Sequence, residues 1–230
     1  MQIESKDIDM FNDTENVIPH VTKHDEYYRH TPKGFGDKLA KIIVHTSAKC
    51  ADLVFGKRYG HRAIVLETIA AVPGIVGGLI QHLKSLRHVK NDNGWIRELL
   101  DEAENERVHL LVYSEIAKPT SFERFIIIFV QLFFFIIYFL LYLLSPKVAH
   151  RVVGYFEEEA IHSYQTYLRL INEGIHKNIE ATETAKMYWG LASDATLRDM
   201  VIATIKDEML HRDVNHRFSD DKIGTNLWGE

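Results

Sequence analysis

The chain has 230 residues, 46% of them apolar, which suits one domain with a substantial core. Its net charge of -5, with no basic stripe interleaved with aromatics, weighs against a nucleic-acid binder. Cys50 is the only cysteine, so an intramolecular disulfide and a cysteine-held metal cluster are excluded.

Residues 1–33 read as an N-terminal extension, poorly ordered or arm-like. MQIESKDIDMFNDTEN is mixed and mostly acidic, without an apolar h-region or an Arg/Ser-rich amphipathic pattern, so no conventional signal or transit peptide is expected. From Gly36 the pattern is helical almost without interruption. Turn signals stand at Phe55-Gly56, Asn91-Asp92-Asn93-Gly94, Lys118-Pro119-Thr120-Ser121, Ser145-Pro146 and Asn172-Glu173-Gly174. They divide helices at 36–55, 60–88, 95–117, 122–144, 147–173 and 195–218, with a shorter one near 182–192. Nothing reads as a strand ladder, so the fold class is all-α: a helical bundle over 34–218 and a tail at 219–230.

Within the first helix Cys50 is expected as a small buried side chain. Lys38, Lys41 and Lys49, with Lys57 and Arg58 beyond, make this helix either a membrane-interface element or an ordinary amphipathic helix with a solvated face. Pro73 should bend or locally open the second helix. Gly74, Gly77 and Gly78 follow it, fitting either close helix–helix approach or a loosely packed kink.

Four helices carry a pattern of metal-ligand type. Glu67 lies in IVLETIAAV, Glu106 and His109 in ENERVHL, Glu157 opens EEEAIHSY, and Glu208 and His211 lie in IKDEMLH. Positions i and i+3 share a helix face, so each Glu-x-x-His turn offers a carboxylate and an imidazole to one ion. Glutamates from two helices and Glu-x-x-His pairs from two others enclose two metals in a ferritin-like four-helix bundle. Two bare carboxylates ~4 Å apart repel by roughly 4 kcal/mol at an effective dielectric of ~20, so four in an apolar core require cations. Oxygen-rich ligands with imidazole suit iron or manganese, and iron if the chemistry is redox. Glu159/His162 repeats the spacing but is a decoy, since five residues after Glu157 the chain has turned ~140° around the helix.

Phe125 to Leu144, FIIIFVQLFFFIIYFLLYLL, is broken only by Gln131. Its length, roughly 30 Å as a helix, permits a membrane span. A span would put Glu67, Glu106 and His109 on one side of the bilayer and Glu157, Glu208 and His211 on the other, and they could not meet. The helix is therefore expected to lie in the interface of one leaflet, a monotopic arrangement. Arg124 before it and Lys147, His150 and Arg151 after it are expected to reach phosphate headgroups.

LET at 66–68, NERVHL at 105–110, EEEA at 157–160 and the DExxH core at 207–211 resemble the motifs of the alternative oxidases, the cyanide-insensitive quinol oxidases, and the resemblance runs from about Gly34 to Arg217. It implies a homodimeric enzyme on one membrane leaflet that oxidises ubiquinol and reduces O2 to water at two iron ions without pumping protons. The implied iron ligands are Glu67, Glu106, His109, Glu157, Glu208 and His211, the redox-active tyrosine is Tyr164, and the quinol pocket is lined by Arg62, Leu66, Glu159, Ala160 and Ser163. Asn105, Asp207 and Trp189 match positions that support the ligands, and Asp207, next to a ligand, is suited to orient a histidine. Independently, Tyr164 follows Glu157 by seven residues, nearly two turns, on the same face. The implied address is a mitochondrial or mitochondrion-derived inner membrane.

The chain departs from the family pattern at Lys206, where arginine is usual, at Leu210, where an acidic residue is common, and at Ser163, where threonine is usual. None removes a ligand. A plastoquinol oxidase, a soluble ferritin-like oxygen-activating enzyme and a non-enzymatic iron-storing or structural membrane bundle are the rival readings.

Overall fold

The computed structural model describes residues 28–55 and 59–221. Helices follow as α1 Phe35–Phe55, α2 Tyr59–His88, α3 Trp95–Ala117, α4 Ser121–Leu144, α5 Pro146–Asn172, α6 Glu183–Trp189 and α7 Leu197–Asp220. Among the described residues the only extended pairing is an isolated bridge between Glu180 and Thr196. The expectations for Cys50, Lys57 and Arg58, and most of those for the two chain ends, fall outside the described residues and side chains.

Local chemistry explains where the helices start and stop. At α4 the Thr120 hydroxyl accepts from the Glu123 N–H while the Glu123 carboxylate accepts from the Thr120 N–H, a reciprocal capping box. Pro146 opens α5 behind the Ser145 cap. Before α3, Asp92 accepts from the Ile96 N–H at 2.8 Å, and Asn93 and Gly94 take left-handed φ of 55° and 83° to make the turn. The sequence pattern extends α6 to residue 192, but the helix stops at Trp189 because Gly190 turns left-handed at φ 62°.

Two antiparallel pairs, α2 with α3 and α5 with α7, form the bundle. The first pair approaches through glycines. A Cβ on Gly74 would overlap the Leu99 carbonyl oxygen, and one on Gly77 would lie 3.1 Å from Leu99 Cδ1. The close-approach reading of these glycines is the one realised. Helix α2 stays helical through Pro73, without the expected opening, because that turn is held against α3. In the second pair a Cβ on Gly154 would lie 2.5 Å from His216 Nδ1, so α5 and α7 also require a residue without a side chain at their crossing.

Helix α4 lies along this bundle, touching α2 and α5. Two described helices are long and apolar enough to cross a membrane; the apolar window of α2 is 61% buried, that of α4 only 11%. Tyr138 and Tyr142 are the buried residues of α4, while Phe125, Phe129, Phe133 and Leu140 are exposed. Helix α1 buries Ala40 and Val44 against Val152 and Tyr155 and exposes Leu39, Ile42 and Ile43.

One expectation at the end of α4 is overturned. His150 and Arg151, read as headgroup ligands, are each 1% exposed. They face inward because α5 turns back on the bundle at Ser145, and each then needs polar partners. Arg151 Nε donates to Asp37 Oδ1 at 3.1 Å, Arg151 Nη1 to His216 Nδ1 at 2.8 Å, and Arg151 Nη2 to Asp220. His150 accepts from the Tyr142 hydroxyl and bonds Asn215 Oδ1, both at 3.0 Å. The segment before α1 docks on the same region: the His30 N–H donates to Glu158 Oε1 at 2.6 Å, and its ring stacks on His216 at 4.7 Å.

Candidate metal centre

Helices α2, α3, α5 and α7 each bring one glutamate to a common point in the bundle. Glu67, Glu106, Glu157 and Glu208 are at most 3% exposed, and His109 and His211 complete the group, also buried. Ligand atoms of Glu67, Glu106, His109 and Glu208 all lie within 4.8 Å of one another, as do those of Glu106, Glu157, Glu208 and His211. Glu106 and Glu208 belong to both sets and so stand between two candidate cation positions. Each histidine belongs to one set.

The contacts inside this cluster are short but are not hydrogen bonds. His211 Nδ1 lies 2.7 Å from Glu106 Oε1, and His109 Nδ1 lies 3.3 Å from Glu67 Oε2 and 3.4 Å from Glu208 Oε1. Yet both Nδ1 atoms, Glu67 Oε2, both Glu106 oxygens and Glu208 Oε2 are buried without a hydrogen-bond partner. Buried polar groups are ordinarily satisfied, and donors that converge on one space unsatisfied are what bound cations satisfy. Four carboxylates also balance two divalent ions in charge. The residues present therefore fit a dinuclear site.

Without cations, the electrostatics of the cluster are strained. Burial, reinforced by the Glu106 and Glu208 charges, pushes Glu67 and Glu157 well above the usual carboxylate range. Burial acts the same way on Glu106, but the two imidazoles beside it prevail and hold it well below. Burial disfavours charge on His109 and His211 too, yet the surrounding carboxylates raise both well above ordinary histidine.

Around the cluster, Asp207 orients a histidine, though not the one in its own motif. Its Oδ2 lies 3.1 Å from His109 Nε2 and also accepts from Trp189 Nε1 at 2.8 Å and Asn105 Nδ2 at 2.9 Å. With Nε2–H given to Asp207, Nδ1 is the nitrogen that faces the glutamates and would give up its proton to bind a metal ion. Burial raises Asp207, but these three donors outweigh it and keep the carboxylate ionised.

Two residues near the site escaped the sequence reading. Glu102, one turn before Glu106 on α3, is 4% exposed, and burial pushes it up to about 7. Asn215, one turn after His211 on α7, donates to Glu102 Oε2 at 2.8 Å and to the His211 carbonyl at 3.0 Å. Their i,i+4 spacing from two ligands was the available signal.

The expected pocket residues gather beside the cluster. Arg62, Leu66, Glu159 and Ala160 line a largely apolar cavity of about 180 Å³ together with Val65 and Phe134. Ser163 and Tyr164 line a smaller cavity with Glu67, Glu157 and Glu208. Leu66, Ala70, Glu157 and Ala160 belong to both, so the larger cavity shares a wall with the metal cluster. The Tyr164 hydroxyl donates to Glu67 Oε1. His162 of the decoy pair is exposed and stands apart from the cluster.

A bundle that gathers four glutamates and two histidines from four helices defines the class of dinuclear carboxylate proteins. Within that class, the family model "Alternative oxidase" matches residues 19–220, and the chain belongs to the alternative oxidase family. It is 52% identical over 191 residues to "Ubiquinol oxidase 1c, mitochondrial" of Arabidopsis thaliana, covering 83% of this chain and 58% of that protein. It is also 52% identical over 194 residues to "Ubiquinol oxidase, mitochondrial" of Mangifera indica, covering 84% and 61%. With "Ubiquinol oxidase 2, mitochondrial" of Glycine max the identity is 50% over 205 residues, covering 89% and 60%. The chain spans about three-fifths of the length of these relatives.

Proposed function

We propose that this chain is a ubiquinol oxidase that reduces O2 to water at a non-haem di-iron centre without pumping protons. It acts as a homodimer on one leaflet of a mitochondrial or mitochondrion-derived inner membrane. The observation that carries the reading is the shared wall of Leu66, Ala70, Glu157 and Ala160, which puts an apolar cavity of quinol-ring character directly against the glutamate–histidine cluster. Membership of the alternative oxidase family and the names of the relatives support the substrate.

Glu67, Glu106, Glu157 and Glu208, with His109 and His211, would hold the two ions, and bound iron would supply one-electron chemistry and O2 activation. The protein does the rest. Reduction of one O2 to two waters takes four electrons and four protons, which two quinols supply on becoming quinones. Arg62 and Glu159 at the cavity wall orient the quinol oxygens, one as a donor and the other as an acceptor. Leu66, Ala160 and Phe134 keep water from the ring. Tyr164, bonded to Glu67 and walled into the core, stands where its phenol can give a hydrogen atom to the site and recover it from quinol.

Helix α4 supports the membrane seating. The ligands before and after it in sequence meet at one site, while its own side chains remain largely uncovered, which fits a helix lying in one leaflet.

The test is quinol-dependent oxygen uptake by the purified, lipid-reconstituted chain, with two irons per chain and persistence in cyanide at levels that stop haem–copper oxidases. Glu157→Ala should abolish uptake and stoichiometric iron loading together. Full iron occupancy in that variant would remove Glu157 from the ligand set, and plastoquinol preferred over ubiquinol would change the substrate.

A further inference from the structure

Tyr113 is a buried aromatic that the chemistry above does not use, and it touches the residue on which that chemistry depends. It lies one turn beyond His109 on α3, and Thr204 lies one turn before Glu208 on α7; the two therefore share the layer directly beneath the ligands. Tyr113 is 1% exposed and Thr204 0%. The rings of Tyr113 and Tyr164 stack with centroids 5.4 Å apart and planes 25° apart.

The hydroxyl of Tyr113 is held in one direction. Thr204 Oγ1 donates its single proton to the Met200 carbonyl at 3.1 Å, so toward Tyr113, 3.0 Å away, it acts as acceptor. The order of donation runs Tyr113, Thr204, Met200. This proton ends on a hydroxyl and a carbonyl, neither of which retains it, so Tyr113 is no hydrogen-atom donor of its own. What it offers Tyr164 is a fixed face.

Tyr164 needs one. The torsion about a tyrosine Cβ–Cγ bond is broad and poorly determined by rotamer preference. A phenolic O–H lies in the plane of its ring, so that torsion decides whether the proton points at Glu67 Oε1.

We propose that Tyr113, anchored by Thr204, is a positioning residue that sets the ring plane of Tyr164 and so aims its O–H at Glu67. The proposal rests on the reading of Tyr164 as the redox residue.

Three variants of the full chain in lipid nanodiscs test it: Tyr113→Phe keeps the stack and loses the anchor, Thr204→Val loses only the acceptor, and Tyr113→Leu removes the stack. In metal-free protein with ring-labelled tyrosine, NMR should show slow flipping of the Tyr164 ring in the wild type and fast flipping in Tyr113→Leu. In the iron-loaded enzyme, Tyr113→Leu should keep wild-type iron and quinol KM while kcat falls about tenfold, with about a twofold fall for Tyr113→Phe. The freeze-quenched tyrosyl radical should change its β-proton splitting in the electron paramagnetic resonance spectrum, since that splitting follows the ring torsion. Unchanged flipping and unchanged splitting in Tyr113→Leu overturn the proposal, whatever the turnover. If Tyr113→Leu does not fold, an unchanged splitting in Thr204→Val overturns it. Full turnover in Tyr164→Phe refutes the redox reading instead, and the metal-free flipping still decides whether Tyr113 fixes the ring.

Discussion

Asp207 is the most exacting place to test how the proposed metal site is held, because it lies outside the proposed ligand set and touches a single member of it. Its Oδ2 takes His109 Nε2 at 3.1 Å, with Trp189 and Asn105 holding the same oxygen from the other side. Asp207→Ala leaves His109 free to rotate and to place its proton on Nδ1, the atom that faces Glu67, Glu106 and Glu208. Losing such an outer partner costs about 10- to 100-fold in metal affinity, or about 1.4–2.7 kcal/mol. That range matches one hydrogen bond to a charged group, about 1.5–3 kcal/mol, so the other two bonds to Asp207 should add little of their own. Asn105→Ala and Trp189→Phe should each cost less than Asp207→Ala, and combining either with it should be strongly non-additive. Iron retention against a competing chelator measures the effect, with circular dichroism as the folding control. A folded Asp207→Ala that holds both irons as tightly as the wild type would refute the role of Asp207 in orienting His109.

Glu159→Ala should keep both irons and lose quinol turnover, because Glu159 lines the cavity and lies outside the metal cluster; a metal-free variant would make the decoy pair the true one. Tyr164→Phe should keep fold and iron while losing most oxygen uptake, and wild-type turnover would reduce it to a packing residue. His150, driven by burial down to about 4 from an ordinary 6.5, is packed by Tyr142, Trp95, Phe218 and Asn215, with Glu102 beyond Asn215 as the nearest carboxylate in that chain. The folded state keeps this ring neutral while the unfolded chain protonates it. Its contribution is therefore intact above pH ~6.5 and declines toward pH ~4, by about 3 kcal/mol in all. Because Glu102, raised to about 7, gives the opposite slope over part of this range, the readout is the difference: the stability of the metal-free wild type minus that of His150→Gln in chemical denaturation should fall by this amount from pH ~6.5 to ~4, and parallel profiles would exclude the effect. With Cys50 replaced, cysteines at the exposed positions Lys118 and Lys147 should label from the same face of a sealed vesicle with an impermeant reagent. Opposite faces would establish a span at α4.

Short-range periodicity carried much of this molecule. The long helices start and stop within two residues of the ranges read from turn chemistry and apolar spacing, because caps such as Thr120–Glu123 and turns such as Asn93-Gly94 are local in sequence. The glutamate–histidine set was equally legible, since i,i+3 pairing on one face is a property of a single helix. The sequence also required glutamates and histidines on both sides of the 125–144 segment to meet, and they do. Tertiary structure decided whatever depended on which faces met. Asp207 serves His109 across the bundle rather than His211 four residues along its own helix, because its side chain leaves the ligand face of α7 toward α3. His150 and Arg151, basic residues just past an apolar helix, became buried partners of Asn215 and Asp37 once α5 turned back. The stack of Tyr113 on Tyr164 joins α3 to α5, and the cavity beside the cluster joins α1, α2, α4 and α5. Periodicity within one helix specifies a face, but the partner of that face is chosen by the packing of all the helices at once, through glycines such as Gly74 and Gly154 that set how closely they approach.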